Sequence, residues 1–482
     1  MERGRRLSQH SEKSKDAPPS FARRAFRKGR RILGKIYRRL RKLLPGGRSK
    51  SQLRILVLTN RDSDNTGDQI IEATVISLIK AAMKNLGVPA AGYTIATRAA
   101  GIISRKYMQT GDPTLLKGAR KAISKSDVVI FGGAPLFNYA YQSFYLRTIK
   151  TLEIAQEFGV PVLFSSIGVE PFDPSNAKSL QLKDALALPC VRQITTRDDF
   201  DSLQKYVEGT NVRVAHVSDP AVFADVIFDK VRAVGSPTGR SPKKRIGLVV
   251  TRSRLFKDNQ IEFSEADQRK FWIDVIELLT ERGYDYKLFT TGHFTDEVFL
   301  DAMVRAESIP LRNVAFNVNS PEELINELSA SDGVIAYRLH ASITSFAYAI
   351  PSIGLSWNFK VPDFYKSVGY GHRALSHQHW NAAEVVSALE DAMSDGVTKN
   401  EDFLASVYTT LFTGLKDVFA PRSTRAPYSY AELRRKLPRY EGTSAADYRG
   451  KMQRKLRRTY EEYQKHSTFH YNKMAADEKE KS

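Results

Sequence analysis

Cysteine is almost absent from this sequence, because Cys190 is the only one in 482 residues. A single cysteine excludes an intrachain disulfide and a zinc site built from several cysteines. Long apolar runs are also missing, since no stretch approaches the roughly 18 residues that a membrane-spanning helix needs. The N-terminal end has no apolar segment of the kind found in secretory signals. We therefore expect a cytoplasmic protein in a reducing compartment.

Net charge is nearly absent from the middle of the chain, although the whole sequence carries a formal charge of +21. Residues 1–50 contain 18 Lys and Arg against 3 Asp and Glu, and residues 421–482 contain 16 against 8. The 370 residues between them carry a net charge of −2. The basic character therefore belongs to the two ends, and the chain is long enough for two domains between them.

The basic N-terminal end, residues 1–50, consists of a polar tail and an amphipathic segment. Residues 1–19 have the composition of a disordered tail. Between Phe21 and Leu44, apolar residues recur every three or four positions with Arg and Lys on the other face, which predicts a helix. We expect this helix to bind an anionic membrane surface, peripherally on the inner face of the membrane and near lipid-linked saccharides. A nucleic-acid contact and an Arg-rich transit peptide fit the same charge pattern.

Short apolar runs alternate with helix-like segments over residues 51–235, which we predict to be one Rossmann-like domain. This alternation favours a parallel sheet with helices on both faces. The helix that follows the first strand is predicted over Ile70–Leu86. The predicted strands are Leu53–Thr59, Val128–Phe131, Val160–Ser165 and Arg192–Thr196.

A segment rich in Gly, Ser, Pro and Lys, Val231–Lys244, indicates a domain boundary, and the alternation resumes after it. The sequence thus predicts an α/β fold in which a second Rossmann-like domain, residues 236–420, faces the first across a cleft. Residues 421–482 are predicted to form a basic helical extension, with a helix over Ala446–Gln464. The second domain's predicted strands are Ile246–Thr251, Tyr286–Thr290, Gly333–Tyr337 and Ser352–Ser356, and its predicted helices are 267–282, 321–330 and 341–349.

Two features of the first domain are candidate ligand contacts. The loop from Asp62 to Asp68 follows a predicted strand and precedes a helix, where open α/β sheets bind their ligands. Its small and acidic residues can bond to hydroxyls, but helix caps and turns use the same residue types. Gly132 and Gly133 follow the next predicted strand, where missing side chains admit a ligand close to the backbone or simply allow a tight turn.

The third candidate lies in the second domain, where Arg338 and His340 stand between the end of a strand and the start of a helix. Free backbone amides and the helix dipole favour an anion at such a position, and a guanidinium can bind carboxylate or phosphate through two hydrogen bonds. A lone histidine there would more often cap a helix or lie in the core. The adjacent arginine favours contact with a small anionic substrate instead.

These residues resemble the polysaccharide pyruvyl transferase family. The resemblance extends over roughly residues 53–370. The matching blocks are Asn65-Thr66-Gly67-Asp68, Asp127–Gly133, Thr196-Arg197-Asp198, Ser218-Asp219-Pro220-Ala221, Arg338-Leu339-His340-Ala341, Ala349-Ile350-Pro351 and Lys360.

The resemblance implies an activity and roles for single residues. Members transfer pyruvate from phosphoenolpyruvate to saccharide hydroxyls as a cyclic ketal, with a fold similar to the two-domain glycosyltransferase-B architecture. The resemblance implies that Arg197 and Arg338 bind phosphoenolpyruvate with His340 beside them. His340 is the candidate acid, because an imidazole can donate a proton near neutral pH. Lys360 is expected to contact the phosphate, and Asp68 to accept a proton from an acceptor hydroxyl.

Asn65, Gly67, Gly132 and Gly133 complete the expected substrate-binding set. Phosphoenolpyruvate is the donor substrate of the implied reaction, which needs no cofactor or metal, and the nine histidines are scattered rather than grouped as ligands. The chain departs from the family pattern at Ala134-Pro135, where a third glycine is common, and at residues 357–359. These departures lie where an acceptor would bind, so the resemblance does not identify the acceptor.

Two other functions fit parts of the same sequence. A nucleotide-sugar glycosyltransferase would use the same two-domain cleft, although no acidic residue is distinctively placed for a ribose. A non-catalytic, membrane-associated binding protein would need only the basic ends. The presence together of Asp68, Arg197, Arg338 and His340 favours a catalytic protein over this second alternative.

Overall fold

The computed structural model describes residues 52–61, 63–139, 144–234, 243–316 and 318–480. The predicted amphipathic helix Phe21–Leu44 and the tail before it lie outside the described residues. Gln52–Ser482 form one compact unit.

The first half of the described chain builds a six-stranded sheet in which all neighbouring strands are parallel, as predicted. The strand order is β2-β1-β3-β4-β5-β6. The strands are β1 Leu53–Thr59, β2 Tyr93–Ala99, β3 Val128–Gly132, β4 Val162–Ile167, β5 Val191–Thr196 and β6 Arg213–His216. Central strands β3 and β4 are buried along their whole length, which explains why apolar residues predominate in both.

The helix after β1 begins four residues earlier than predicted, at Thr66 instead of Ile70. Asn65 caps this helix, because its side-chain oxygen accepts a hydrogen bond from the Gly67 N–H. The helices of this half are α1 Thr66–Asn85, α2 Arg105–Thr110, α3 Lys117–Ile123, α4 Phe144–Phe158, α5 Ala177–Leu186, α6 Phe200–Val207, α7 Ala224–Ile227 and α8 Asp229–Val234.

The second half contains a five-stranded parallel sheet with the order β11-β10-β9-β7-β8. Its strands are β7 Arg245–Val249, β8 Asp285–Phe289, β9 Gly333–Ala336, β10 Ser352–Ser356 and β11 Ala374–Ser376, so all four predicted strands are confirmed. Its helices are α9 Arg254–Asp258, α10 Glu265–Glu281, α11 Phe294–Ala306, α12 Pro321–Ser329, α13 Leu339–Ala347, α14 Lys360–Ser367, α15 Ala382–Asp395 and α16 Glu401–Phe419.

The two halves share a continuous apolar core. Phe223 and Phe228 of the first half are fully buried in the same cluster as Ile343 and Phe346 of α13. The Tyr348 hydroxyl donates across the boundary to the Phe228 carbonyl at 3.4 Å. Helix α13 is therefore held against the first half by packing as well as by polar contacts.

Helix α16 returns from the second half to the first sheet. The Asn85 amide in α1 donates to the Tyr408 hydroxyl at 3.0 Å, and Gln193 Nε2 in β5 donates to the Thr410 carbonyl at 3.0 Å. Helix α16 thus forms a second set of contacts between the two halves.

The C-terminal extension is helical, as predicted, and consists of α17 Tyr430–Lys436 and α18 Ala445–Glu480. Helix α18 contains the predicted helix Ala446–Gln464 and continues beyond it. Among the described residues, none of the helices combines the length and the apolar character that crossing a membrane would require.

Candidate functional site

The start of α1 in the first half meets the start of α13 in the second half. Gly67 packs directly against His340, so that a Cβ added to Gly67 would overlap the Cβ of His340. Asn65 Nδ2 lies 3.4 Å from His340 Nδ1. The structure therefore brings together three residues that the sequence analysis assigned to one site.

The loop before α1 also caps that helix, which is the second role that its sequence predicted. The Gly67 N–H donates to Asn65 Oδ1 at 3.1 Å, and the Thr66 N–H and hydroxyl both donate to the Thr291 carbonyl at 2.8 Å. Capping and contact with the second half occur together, so the loop fixes the start of α1 while it faces His340.

Asp68 is buried in the first turn of α1, with 7% of its surface exposed. Its Oδ2 accepts a hydrogen bond from Asn60 Nδ2 at 3.0 Å. Burial lowers the pKa of both His340 and Lys360, and the negative charge of Asp68 opposes this effect at each. Asp68 thus shares one electrostatic environment with two other predicted site residues.

Arg197 is buried at the end of β5 and forms an ion pair with Asp219. Burial disfavours its charge, but Asp219 and Asp198 outweigh burial, so the pKa of Arg197 is raised and the guanidinium stays charged. The Nε of Arg197 has no hydrogen-bond partner among the described residues. An unpaired buried donor is costly, so this N–H is suited to donate to an anionic ligand.

Asp198 and Lys360 extend the same environment. Asp198 Oδ1 accepts from Thr196 Oγ1 at 2.8 Å and from the Val169 N–H at 3.0 Å. Burial raises the pKa of Asp198, although Arg197 and Lys360 lower it. Burial lowers the pKa of Lys360, Asp198 opposes that change, and Arg197 adds to it. A bound anion would therefore favour the charged form of Lys360.

His340 is 8% exposed, and its Nε2 has no hydrogen-bond partner within the described part of the chain. Burial lowers the pKa of His340, with Asp68 and Asp219 opposing and Arg197 and Lys360 reinforcing the change. The imidazole is therefore neutral at pH 7 until a further negative charge raises its pKa.

We call these residues the His340 group: Asn65, Gly67, Asp68, Arg197, Asp198, Asp219, His340 and Lys360. A cavity of about 10 Å³ lies beside Arg197, Asp198, Asp219 and Lys360. This volume holds about one water molecule, so a larger ligand can enter only if the surrounding side chains or the two halves move apart.

Arg338 is bound elsewhere, although it precedes His340 by only two residues. Its Nε donates to Asp296 Oδ2 at 2.7 Å, and Asp296 is fully buried. Arg252 Nη1 donates to the other oxygen of Asp296 at 3.2 Å. The structure thus pairs Arg197 and Arg338 with different carboxylates and does not place them as the two halves of one direct clamp.

His293 completes this second cluster, because it caps α11 and lies 3.2 Å from Arg252 Nη1 through its Nδ1. Burial lowers the pKa of His293 to about 3, with Arg338 and Arg252 adding to the change and Asp296 opposing it. Burial raises the pKa of Asp296, but the neighbours Arg338, His293 and Arg252 together outweigh it and the pKa is lowered. We call Arg252, His293, Asp296 and Arg338 the Asp296 group.

Gly132 and Gly133 have a packing role in the structure. A Cβ on Gly132 would lie 2.9 Å from Val75 Cγ1, and a Cβ on Gly133 would overlap Ile71 Cγ2. Gly133 also has a φ of 61°, which favours glycine. Both residues therefore allow α1 to pack closely on β3, as expected of a tight turn.

Sequence reasoning missed Arg252, His293 and Asp296. They follow β7 and β8, which are adjacent strands of the second sheet. Polar residues after the carboxyl ends of parallel strands are candidate ligand contacts, so a search of every strand end could have found them.

The fold and the site define an α/β protein of the two-sheet class, with a buried polar group where the helices of the two halves meet. The family model for polysaccharide pyruvyl transferases matches residues 13–358. The chain belongs to the polysaccharide pyruvyl transferase family.

Solved structures support the fold class alone. A Listeria monocytogenes structure assigned as a UDP-N-acetylglucosamine 2-epimerase matches with a TM-score of 0.50 and 10% identity, over 78% of this chain and 100% of that one. The UDP-GlcNAc 2-epimerase from Methanocaldococcus jannaschii matches with a TM-score of 0.46 and 13% identity, over 76% and 99% of the two chains. None of the curated proteins matches this chain.

Proposed function

We propose that this protein transfers the enolpyruvyl carbons of phosphoenolpyruvate to two hydroxyls of a saccharide, forming a pyruvate ketal and releasing phosphate. Membership of the family supports the transferase class. The observation that carries the donor assignment is the convergence of Arg197, Lys360 and His340, in which Arg197 Nε and His340 Nε2 are buried without partners among the described residues. Such groups fit a small, highly charged donor.

Arg197 and Lys360 would bind the negative charges of the donor. Arg197 keeps its charge because Asp219 and Asp198 outweigh its burial. The donor would supply the missing partner of Arg197 Nε and would raise the pKa of Lys360, which burial lowers. Both effects occur only when an anion is bound, so they favour binding of the charged donor over a neutral sugar.

Arg338 would contribute to donor binding through the charge of the Asp296 group. Arg338 and Arg252 share one carboxylate, so the pair keeps a surplus positive charge at the start of α13. That charge would attract the donor, and a direct contact would require Arg338 to loosen its bond to Asp296.

His340 would supply the proton for the methylene carbon of phosphoenolpyruvate. The donor's charge would raise the pKa of His340 from the value that burial has lowered. Protonation makes C2 electrophilic, and the first sugar hydroxyl adds there while it loses its proton to Asp68. The C2–O bond to phosphate then breaks, and the second hydroxyl closes the ketal and loses its own proton.

Substrate entry requires an opening motion. The cavity of about 10 Å³ in the His340 group is far smaller than phosphoenolpyruvate. Lys455 of α18 binds Glu297 of the second half at 2.8 Å, and Arg458 binds Asp64 of the first half. Helix α18 thus connects both halves beside the site, and these two ion pairs would have to adjust when the halves separate.

The reaction can be tested by following phosphoenolpyruvate labelled with ¹³C at C2 in a mixture of saccharides. We expect the label to appear as a ketal carbon, with equal release of inorganic phosphate. In D₂O the new methyl group should contain one deuteron, because one solvent-exchangeable proton is added to the methylene carbon. Label that stays in phosphoenolpyruvate while a UDP-sugar is consumed would instead favour glycosyl transfer.

A membrane-bound acceptor remains part of this proposal. The segment Phe21–Leu44, which lies outside the described residues, is expected to bring the protein to the inner face of the membrane and to lipid-linked saccharides. Binding of the full chain to anionic vesicles, compared with a chain that lacks residues 1–50, tests this part separately.

A further inference from the structure

A second cavity lies on the opposite side of α1 from the His340 group. Its volume is about 350 Å³, and its walls include Gln69, Glu72 and Ile76 of α1. These residues are two, five and nine positions after Gly67, which places them on the helix face turned away from the one that touches His340. The other wall comes from residues 440–454, which lie beyond the family match.

Lys451 lines this cavity and has an unusual environment for a lysine. It is 2% exposed, and its Nζ has no hydrogen-bond partner among the described residues. Burial lowers the pKa of Lys451 to about 7, with Lys455 adding to the change and Asp64, Glu297 and Glu323 opposing it. Burying an ammonium group without a hydrogen-bond partner is costly, and a bound anion would offset this cost and raise the pKa of Lys451 again.

The other charged groups of the cavity balance, with Arg61 and Arg454 against Glu72 and Asp447, so the charge of Lys451 is the positive surplus. Arg61 lies 3.5 Å from Glu72 and 3.9 Å from Asp447, so these two carboxylates are turned toward Arg61. Lys451 Nζ has no hydrogen-bond partner in the described part of the chain, and the exposed Arg454 lines the same wall. An anion between them would meet two cations on one wall.

The remaining lining suits a ring with hydroxyl groups. Tyr440 and Tyr448 contribute aromatic surface, and Gln69 and Thr443 contribute polar groups. Aromatic faces combined with amides, hydroxyls and carboxylates can bind the apolar faces and hydroxyls of a sugar together. The volume of about 350 Å³ is within the range of small-molecule sites.

We propose that this cavity binds an anionic saccharide, with its carboxylate or phosphate on Lys451 and Arg454 and its ring beside Tyr440 and Tyr448. The inference rests on the proposed function in one respect, because a pyruvate ketal puts a carboxylate on a sugar. A modified unit of the same polysaccharide is then a natural ligand, held away from the unit that reacts.

The test is calorimetric titration of the full chain with glucuronate, glucose 1-phosphate, glucose and inorganic phosphate. We expect the two charged sugars, or one of them, to bind more tightly than glucose and phosphate. Which of the two binds better shows whether the site prefers carboxylate or phosphate. Equal binding of glucose, or binding of inorganic phosphate as tight as that of the charged sugars, would overturn the proposal.

Lys451→Met keeps the length of the side chain and removes its charge, so the fold should tolerate it. We expect it to weaken binding of the charged sugars about tenfold or more. Lys178→Met, at an exposed position on α5, is the matched control and should change nothing. Undiminished binding by Lys451→Met would also overturn the proposal.

A parallel titration with phosphoenolpyruvate separates this inference from the proposed function. Lys451→Met should bind phosphoenolpyruvate as the unaltered chain does. If phosphoenolpyruvate fails to bind either protein while charged sugars bind through Lys451, the proposed donor is wrong and the second site stands. If only phosphoenolpyruvate binds, the second site is wrong and the donor assignment stands.

Discussion

The His340 group and the Asp296 group both lie at helix starts that follow strands, but their hydrogen bonding differs. In the His340 group, His340 Nε2 and Arg197 Nε are buried without partners among the described residues. In the Asp296 group, the buried carboxylate accepts hydrogen bonds from both Arg338 and Arg252. Both groups contain a buried counter-ion, Asp219 in the first and Asp296 in the second. In the first, an imidazole nitrogen and a guanidinium N–H can still bond to a ligand, whereas in the second one carboxylate is shared between two guanidinium groups.

The difference shows that residues close together in the sequence need not share a function at this site. Arg338 and His340 share the first turn of α13, yet their side chains belong to different clusters. Substitutions in the His340 group should therefore affect turnover and donor binding, and substitutions in the Asp296 group should affect stability first.

The largest expected effect is that of His340→Ala. Loss of the proposed acid should reduce turnover about a hundredfold to ten-thousandfold, while phosphoenolpyruvate affinity changes little. Phosphate release and calorimetry measure the two quantities. His372→Ala, an exposed histidine of the same half, is the control. Unchanged turnover in His340→Ala would remove the acid role.

The next effect is a loss of stability in Asp296→Asn. The substitution leaves Arg252 and Arg338 without their shared buried carboxylate and should cost about 3–5 kcal/mol in the free energy of unfolding. Urea unfolding measures it. Asp301→Asn, a partly exposed carboxylate on the same helix, should cost less than about 1 kcal/mol. Equal stability of the two variants would show that Asp296 does not support its cluster.

Gly67→Ala should have an intermediate effect on both turnover and the free energy of unfolding. The added methyl group overlaps the His340 side chain, so we expect a loss of about 1–3 kcal/mol together with reduced turnover. Gly118→Ala in α3 is the matched control, because a Cβ there meets nothing within 4 Å and alanine favours a helix. If Gly67→Ala behaves like Gly118→Ala, the two helix starts are not in tight contact.

The smallest effect at neutral pH is the pH dependence due to His293, because it develops only as the pH falls below about 6.5. The unfolded chain binds this proton near pH 6.5 and the folded chain only near pH 3, so the unfolded chain binds more protons between these values. Stability should therefore fall as the pH falls from 6.5 toward 3, by at most about 1.4 kcal/mol per pH unit from this group. His293→Gln should reduce the slope of stability against pH in urea unfolding. An unchanged slope would contradict the buried, neutral state of His293.

The sequence predicted the inner strands better than the edge strands. Strand β1 and strand β10 have the predicted bounds, and the apolar residues Ile55–Leu58 of β1 and Ile353 and Leu355 of β10 are buried. Edge strand β2 was missed, since Tyr93–Ala99 is exposed or partly exposed throughout and mixes polar with apolar residues. Strand β11 was missed because three residues are too short to show a pattern.

The site was predictable only in part, because some of its contacts join elements that are far apart in the sequence. Residue type and position after a strand were enough to select His340 and the loop that ends at Asp68, whereas Arg197 was selected through the resemblance to the family. The partner of Arg338 was not predictable, because Asp296 lies 42 residues away and is brought close only by the sheet order. The packing contact of Gly133 was not predictable either, because its neighbour Ile71 lies in another element.

The most direct test of the central claim is calorimetric titration with phosphoenolpyruvate, beside UDP-sugars. The unaltered chain and the control Arg192→Ala, at an exposed position on the same strand as Arg197, should bind phosphoenolpyruvate. Arg197→Ala, checked for folding by circular dichroism, should lose about tenfold or more in affinity, and Lys360→Met should weaken binding independently. Binding of a UDP-sugar alone, or phosphoenolpyruvate binding that neither variant alters, would contradict the account.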